Sequence, residues 1–129
     1  MAVASQTYTR DDIYSGVEEV VRDSLSFDGR IMPEFGLKSD LRAEDIDLLD
    51  IGDRLWKKYG ISAKKADFVP QLQPEHLTGG RLNENGLAYV AKFPHIKRDE
   101  SADTLQQGDL TFESLVSYVQ AQLGERLQR

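Results

Sequence analysis

Apolar residues recur at helical spacing in four places along the chain, and polar punctuation separates them. From Arg10 to Leu25, Ile13, Val17, Val20 and Val21 fall at spacings of four, seven and eight and so share one helical face. Thr9, three residues before Asp12, suits an N-terminal cap, and Asp11 and Asp12 put negative charge where the helix dipole favours it. A second helix is predicted from 43 or 44 to 59. Leu48, Leu55 and Tyr59 form its apolar stripe, with Leu49, Ile51 and Trp56 beside it and Gly60 as its closing residue. A short helix over 84–92 begins behind Asn83 and stops before Pro94. The last runs over 111–123, with Thr111 as cap and Leu115, Val116, Val119 and Leu123 on one face.

The connections differ in character. Residues 26–38 carry Gly29, Pro33 and Gly36 among Phe27, Ile31, Met32, Phe35 and Leu37. They read as a long ordered loop whose apolar side chains cover the core. Residues 62–108 read as an inserted segment holding one short helix, and within it the polar stretch 97–107 reads as a mobile surface loop. No alternating strand pattern of useful length is present, so the expected class is all-α: a bundle of three or four helices with long connecting loops, in one domain spanning 1–129. Gly52, in mid-helix, either permits close packing or reflects a relaxed constraint.

Charge and composition narrow the chemistry. Sixteen basic against twenty-two acidic residues give a net charge of −6, which argues against a binder of nucleic-acid backbone and for partners with basic surfaces. The chain has no cysteine and two histidines, His76 and His95, so thiol chemistry and a multi-histidine metal site lack raw material. Each histidine is expected at the surface or in a loop. Neither a leader-like apolar stretch at the N-terminus nor a membrane-length apolar run is visible, and a cytoplasmic location is expected.

The most distinctive segment is DLRAEDIDLLDIGDRLWKKYGI, residues 40–61. Six acidic residues, Asp40, Glu44, Asp45, Asp47, Asp50 and Asp53, fall in its first fourteen positions beside a single base, Arg42. Helical spacing puts Asp47, Asp50 and Asp53 in one stripe, with Leu48, Leu55 and Tyr59 facing away. Such a stripe is either a solvated face or a docking strip for Lys and Arg of a partner. Adjacent exposed carboxylates at a helix start do not form the paired, environment-tuned acids of a hydrolase, so no catalytic residue is assigned.

At these residues the chain resembles the acyl carrier protein family, in particular its longer bacterial members with an insertion before the last helix. The register is Glu44, Asp45, Ile46, then Asp47, Leu48, Leu49, Asp50, Ile51, and finally Tyr59, Gly60, Ile61. LNENGLAYVAKFP (82–94) is similar to the short helix of the longer members, and LTFESLVSYVQAQL (110–123) to the closing helix. The resemblance implies an acyl-carrier-like bundle, a place in fatty-acid, lipid or polyketide synthesis, and docking on basic surfaces of synthase enzymes through Glu44, Ile46, Asp47, Asp50 and Asp53. It implies 4'-phosphopantetheine as cofactor, but Asp45 stands where the family has the serine that receives it. A carboxylate is a poor substitute for that hydroxyl, so no cofactor is expected on this chain.

Two other serines lie near enough to the pattern to compete for that role. Asp23, Ser24 and Leu25 repeat the family's tripeptide but sit at the end of the first helix, and Ser39 lies six residues early. The second half of the recognition helix also departs from the family, with Trp56, Lys57 and Lys58 replacing its usual continuation. Trp56 is either an exposed interface anchor or half-buried packing. A carrier-like interaction or regulatory module that never bears an acyl group is the alternative reading.

Overall fold

A computed structural model describes residues 8–93, 95–96 and 109–127, with the side chains of 65, 66 and 125–127 outside the description. Its elements are α1 (Arg10–Leu25), α2 (Asp45–Tyr59), α3 (Lys65–Phe68), a 3-10 turn (Pro74–His76), strands β1 (Leu77–Thr78) and β2 (Arg81–Leu82), α4 (Glu84–Val90) and α5 (Phe112–Leu127). The expected stretch 97–107 lies outside the described residues.

α1 matches the predicted span because its cap works in both directions. Thr9 Oγ1 accepts from the Asp12 amide at 3.1 Å, while the Asp12 carboxylate accepts from the Thr9 amide at 3.2 Å. The four residues of its periodic face, Ile13, Val17, Val20 and Val21, are all buried. They meet Leu48, Ile51 and Leu55 of α2 and Leu115, Val116 and Val119 of α5 in one core, as expected for the apolar faces of a bundle. Across the rim, Arg10 of α1 donates to Gln120 of α5 at 2.7 Å.

Glycine settles how closely these parts approach. The carbonyl oxygen of Ala63 occupies the space that a side chain at Gly52 would need, so the chain leaving α2 folds back against its own helix. Gly52 therefore serves close packing. The Tyr59 hydroxyl fills the equivalent space at Gly16, which brings α1 and α2 together in the same way.

The loop 26–38 is ordered by the core, as expected, except that Met32 is exposed and does not cover it. Ile31 and Leu37 are buried, Phe27 and Phe35 pack against the core, and the Tyr14 hydroxyl donates to the Ile31 carbonyl. The end of this loop pairs with the chain entering α5. The amide of Leu37 donates to the Leu110 carbonyl at 2.8 Å, that of Phe112 to the Phe35 carbonyl at 2.8 Å and that of Glu113 to the Pro33 carbonyl at 2.9 Å.

The all-α expectation needs correction: the described fold is mostly helical and includes a two-stranded antiparallel hairpin. Gly79 and Gly80, at φ +59° and +78°, form the two-residue turn that joins Leu77–Thr78 to Arg81–Leu82. Strands of two residues are too short to show alternation. The inserted segment thus holds α3, the 3-10 turn and the hairpin in addition to the one short helix expected of it. α4 starts where predicted, with Asn83 Oδ1 accepting from the Gly86 amide at 2.9 Å, but ends at Val90, two residues early.

Aromatic contacts fasten this insertion to the bundle. His76 stacks on Tyr89 at 4.5 Å, Tyr89 meets Phe93 at 5.2 Å, Phe93 meets His95 at 6.0 Å, and His95 meets Tyr118 of α5 at 5.1 Å. No helix among the described residues is long and apolar enough to cross a membrane.

Two substitutions test this packing by chemical denaturation. Leu55→Ala, at a fully buried position, is expected to destabilise by about 2 to 5 kcal/mol. Gly52→Ala is expected to cost about 1 to 3 kcal/mol, because the Ala63 backbone must move. A Gly52→Ala protein as stable as the parent would contradict the close approach.

Candidate functional site at the start of α2

The loop before α2 is held by side chains rather than by regular structure. Asp40 accepts from the Gly36 amide at 2.7 Å, and Asp109 accepts from the amides of Lys38 and Ser39 at 3.0 and 3.2 Å. The Ala43 amide then donates to the Leu37 carbonyl at 2.8 Å, which turns the chain into the helix. Glu44 is extended, so α2 begins at Asp45, and the Asp47 carboxylate accepts from the Glu44 amide at 2.8 Å.

Asp45 is therefore the first residue of the helix. Its side chain is 65% exposed, and one oxygen lies 2.9 Å from the Lys38 ammonium. A carboxylate here is favoured by the helix dipole and by that cation. It presents no hydroxyl, so the residues at this position do not fit covalent attachment of phosphopantetheine. Of the other serines, Ser39 is exposed on the loop, whereas Ser24 is half-buried and its hydroxyl donates to Asp50 at 2.6 Å.

The acidic residues singled out in the sequence do gather on α2, but not as a row of free charges. Asp47 caps the helix. Asp50 accepts from Ser24 and, at 2.7 Å, from Arg54, and Asp53 pairs with Lys57 at 2.9 Å. The Ser24 hydrogen bond, followed by that of Arg54, holds the Asp50 carboxyl below its ordinary range. Asp50 is thus a strut between α1 and α2 as much as a surface charge. The i, i+4 partner Arg54 was legible in the sequence; Ser24, twenty-six positions away, carried no local signal.

Beside these charges α2 also turns apolar side chains outward. Ile46, Leu49 and Trp56 are 70%, 58% and 59% exposed. This decides the position of Trp56, which is an exposed side chain and not core packing. Leu49 and Trp56 border an open groove of about 830 Å³ whose other lining includes Gly52, Gly60 and Ala63.

His95 lies in a turn, within the expected choice of surface or loop, but it is buried and not at the surface. It is 7% exposed, enclosed by Phe93 and Tyr118, and its Nε2 lies 2.7 Å from the Phe68 carbonyl. A carbonyl only accepts, so Nε2 carries the proton. Phe93, two positions before it, was the one nearby aromatic in the sequence. Burial lowers its pKa, and the Phe68 hydrogen bond opposes that only in part. Among the described residues no group of three or more His, Asp or Glu side chains is placed to hold a metal ion.

Compared with known protein families, with curated proteins and with solved structures, the chain matches none.

Two titrations follow from the site. The unfolded state binds a proton at His95 more readily than the folded state does, so stability is full above about pH 6.5 and falls as pH drops below it. Unfolding free energies measured between pH 7.5 and 5.5 are expected to show this loss, and His95→Gln is expected to flatten it. Ser24→Ala is expected to raise the Asp50 pKa, read by carbon-detected NMR. An unchanged Asp50 midpoint would show that Ser24 does not hold it.

Proposed function

We propose that this chain is an acyl-carrier-type protein of fatty-acid, lipid or polyketide biosynthesis, acting as a docking partner of synthase enzymes and not as a catalyst. The observation that carries the reading is the placement of Asp45. An exposed first-turn residue follows a pinned loop, an exposed aliphatic residue comes directly after it, and the helix closes at Tyr59, Gly60 and Ile61. That is the register in which the family carries its attachment serine. Here the carboxylate keeps the negative charge of the position and forgoes the covalent group.

Docking in this proposal uses both kinds of surface on α2. Glu44 and Asp45, with the outer carboxylates Asp50 and Asp53, offer charge to Lys and Arg on an enzyme, while Ile46 provides the aliphatic contact beside them. Steering by such rim charges affects association rate more than final affinity. The cytoplasmic compartment belongs to the same proposal, as the place where these synthases work.

A carrier-like interaction module that never bears an acyl group is favoured by one observation: Lys38 already engages Asp45, giving the carboxylate a structural partner of its own. One experiment separates the readings. Incubated with coenzyme A and a broad-specificity phosphopantetheinyl transferase, the parent chain is expected to keep its mass, while Asp45→Ser gains one phosphopantetheine. A folded Asp45→Ser protein that stays unmodified would favour the interaction module. Modification of the parent would overturn the register, and peptide mapping would then point to Ser39 or Ser24.

A further inference from the structure

A pocket of about 530 Å³ opens between the insertion and α5, and no residue of α2 is among the described ones that line it. Tyr118, Ala121 and Gln122 share one face of α5 and form one side. Ser62 and Asp67 reach it from the start of the insertion, and Lys92 and His95 from beyond α4. Its floor is aromatic and its rim carries both charges: His95 and Tyr118, 7% and 5% exposed, meet edge to face at 5.1 Å, whereas Asp67 and Lys92 are exposed. The volume lies in the range of small-molecule sites.

The hydrogen bonds already made decide what such a molecule must offer. The Tyr118 hydroxyl gives its proton to the Ser62 carbonyl at 2.5 Å, and the Ser62 hydroxyl gives its own to Asp67 at 3.0 Å, so neither donates into the pocket. His95 Nε2 donates to the carbonyl of Phe68, which lies outside the described lining, and the nitrogen left for the pocket is Nδ1, an acceptor. Among the described residues nothing donates to it. A buried acceptor is costly to leave without a donor. Asp67 spends Oδ2 on Ser62 and on the Lys64 amide, which leaves Oδ1 as a second acceptor. Lys92 forms no ion pair among the described residues and supplies the one cation of the lining.

We propose that this pocket binds a small zwitterion of amino-acid type, its ammonium group donating to His95 Nδ1 and Asp67 and its carboxylate pairing with Lys92. A simple amine would leave Lys92 unanswered, and a simple carboxylate would leave His95 and Asp67 so. The half-buried Gln122 amide can add a donor to the carboxylate, while Ala121 and the two rings offer the ligand's side chain an apolar wall. The ligand bridges the insertion and α5, so its binding favours the folded chain by mass action. The inference does not depend on Asp45 or on the carrier reading.

The chain has two histidines, His76 and His95, so full-length protein labelled in the imidazole nitrogens reports the site directly. In the free protein Nδ1 of His95 is expected to resonate as an unbonded lone pair. The common amino acids, added one at a time at millimolar concentration, are expected to include at least one that moves this signal upfield to saturation while His76 stays in place. The N-acetyl derivative and the methyl ester of that amino acid are each expected to bind about tenfold more weakly or worse. Lys92→Gln, at an exposed position, is expected to keep the helical circular dichroism and lose binding to the same degree, and Lys92→Arg to retain it. No response of Nδ1 to any amino acid would overturn the proposal, as would an Nδ1 already hydrogen-bonded in the free protein. Equal binding of either blocked derivative, or of the parent ligand to Lys92→Gln, would overturn it as well.

Discussion

The surface that α2 presents depends on the backbone pairing between residues 33–37 and 110–113. Without it, the long loop after α1 would be joined to the rest of the fold by its apolar side chains, which fix burial but not direction, and by hydrogen bonds of Tyr14 and Glu18 of α1 with Ile31 alone in its middle. The amides of Leu37, Phe112 and Glu113 each find a carbonyl across this junction, so the chain entering α2 and the chain entering α5 are held together. Asp109 extends the junction by accepting from Lys38 and Ser39. Lys38 is thereby placed to meet Asp45, and the helix start, its cation and its loop form one unit.

The carboxylates of α2 illustrate how like charges become tolerable on one helix. A bare row at three-residue spacing repels itself. Asp47 is used on the Glu44 amide, Asp50 on Ser24 and Arg54, and Asp53 on Lys57. Each pairing lowers the local repulsion, and the Asp50 pairing also ties α2 to α1. The exposed ion pairs themselves add little stability. Their larger effect is on what remains outward: with the charges engaged sideways, Ile46, Leu49 and Trp56 are left as the protruding features of the face.

Much of this was legible in the sequence, for identifiable reasons. α1 is long, strictly periodic and capped by Thr9, so both its ends were predictable. α2 began one or two residues later than 43 or 44, since Glu44 is extended and only precedes the helix. Periodicity placed the core residues of α1, α2 and α5, yet it left Trp56 undecided. In the fold Trp56 borders the groove that Ala63 and Lys64 also line, a tertiary arrangement that helical periodicity alone does not give. The hairpin was hidden because two-residue strands have no period, and Gly79 with Gly80 reads equally as a loop. His95 is the loop residue it looked like, but its burial was hidden because it comes in part from Tyr118, twenty-three positions further along the chain.

The central claim is that α2 is a recognition element carried on a frame that its own acidic residues help to hold. Amide chemical shifts of the isotope-labelled chain, followed while an acyl-carrier-dependent ketosynthase is added, test it most directly. The account predicts perturbations concentrated at Glu44, Asp45, Ile46, Leu49, Asp53 and Trp56. Perturbations centred instead on α5 or on α4, or none at saturating enzyme, would contradict it.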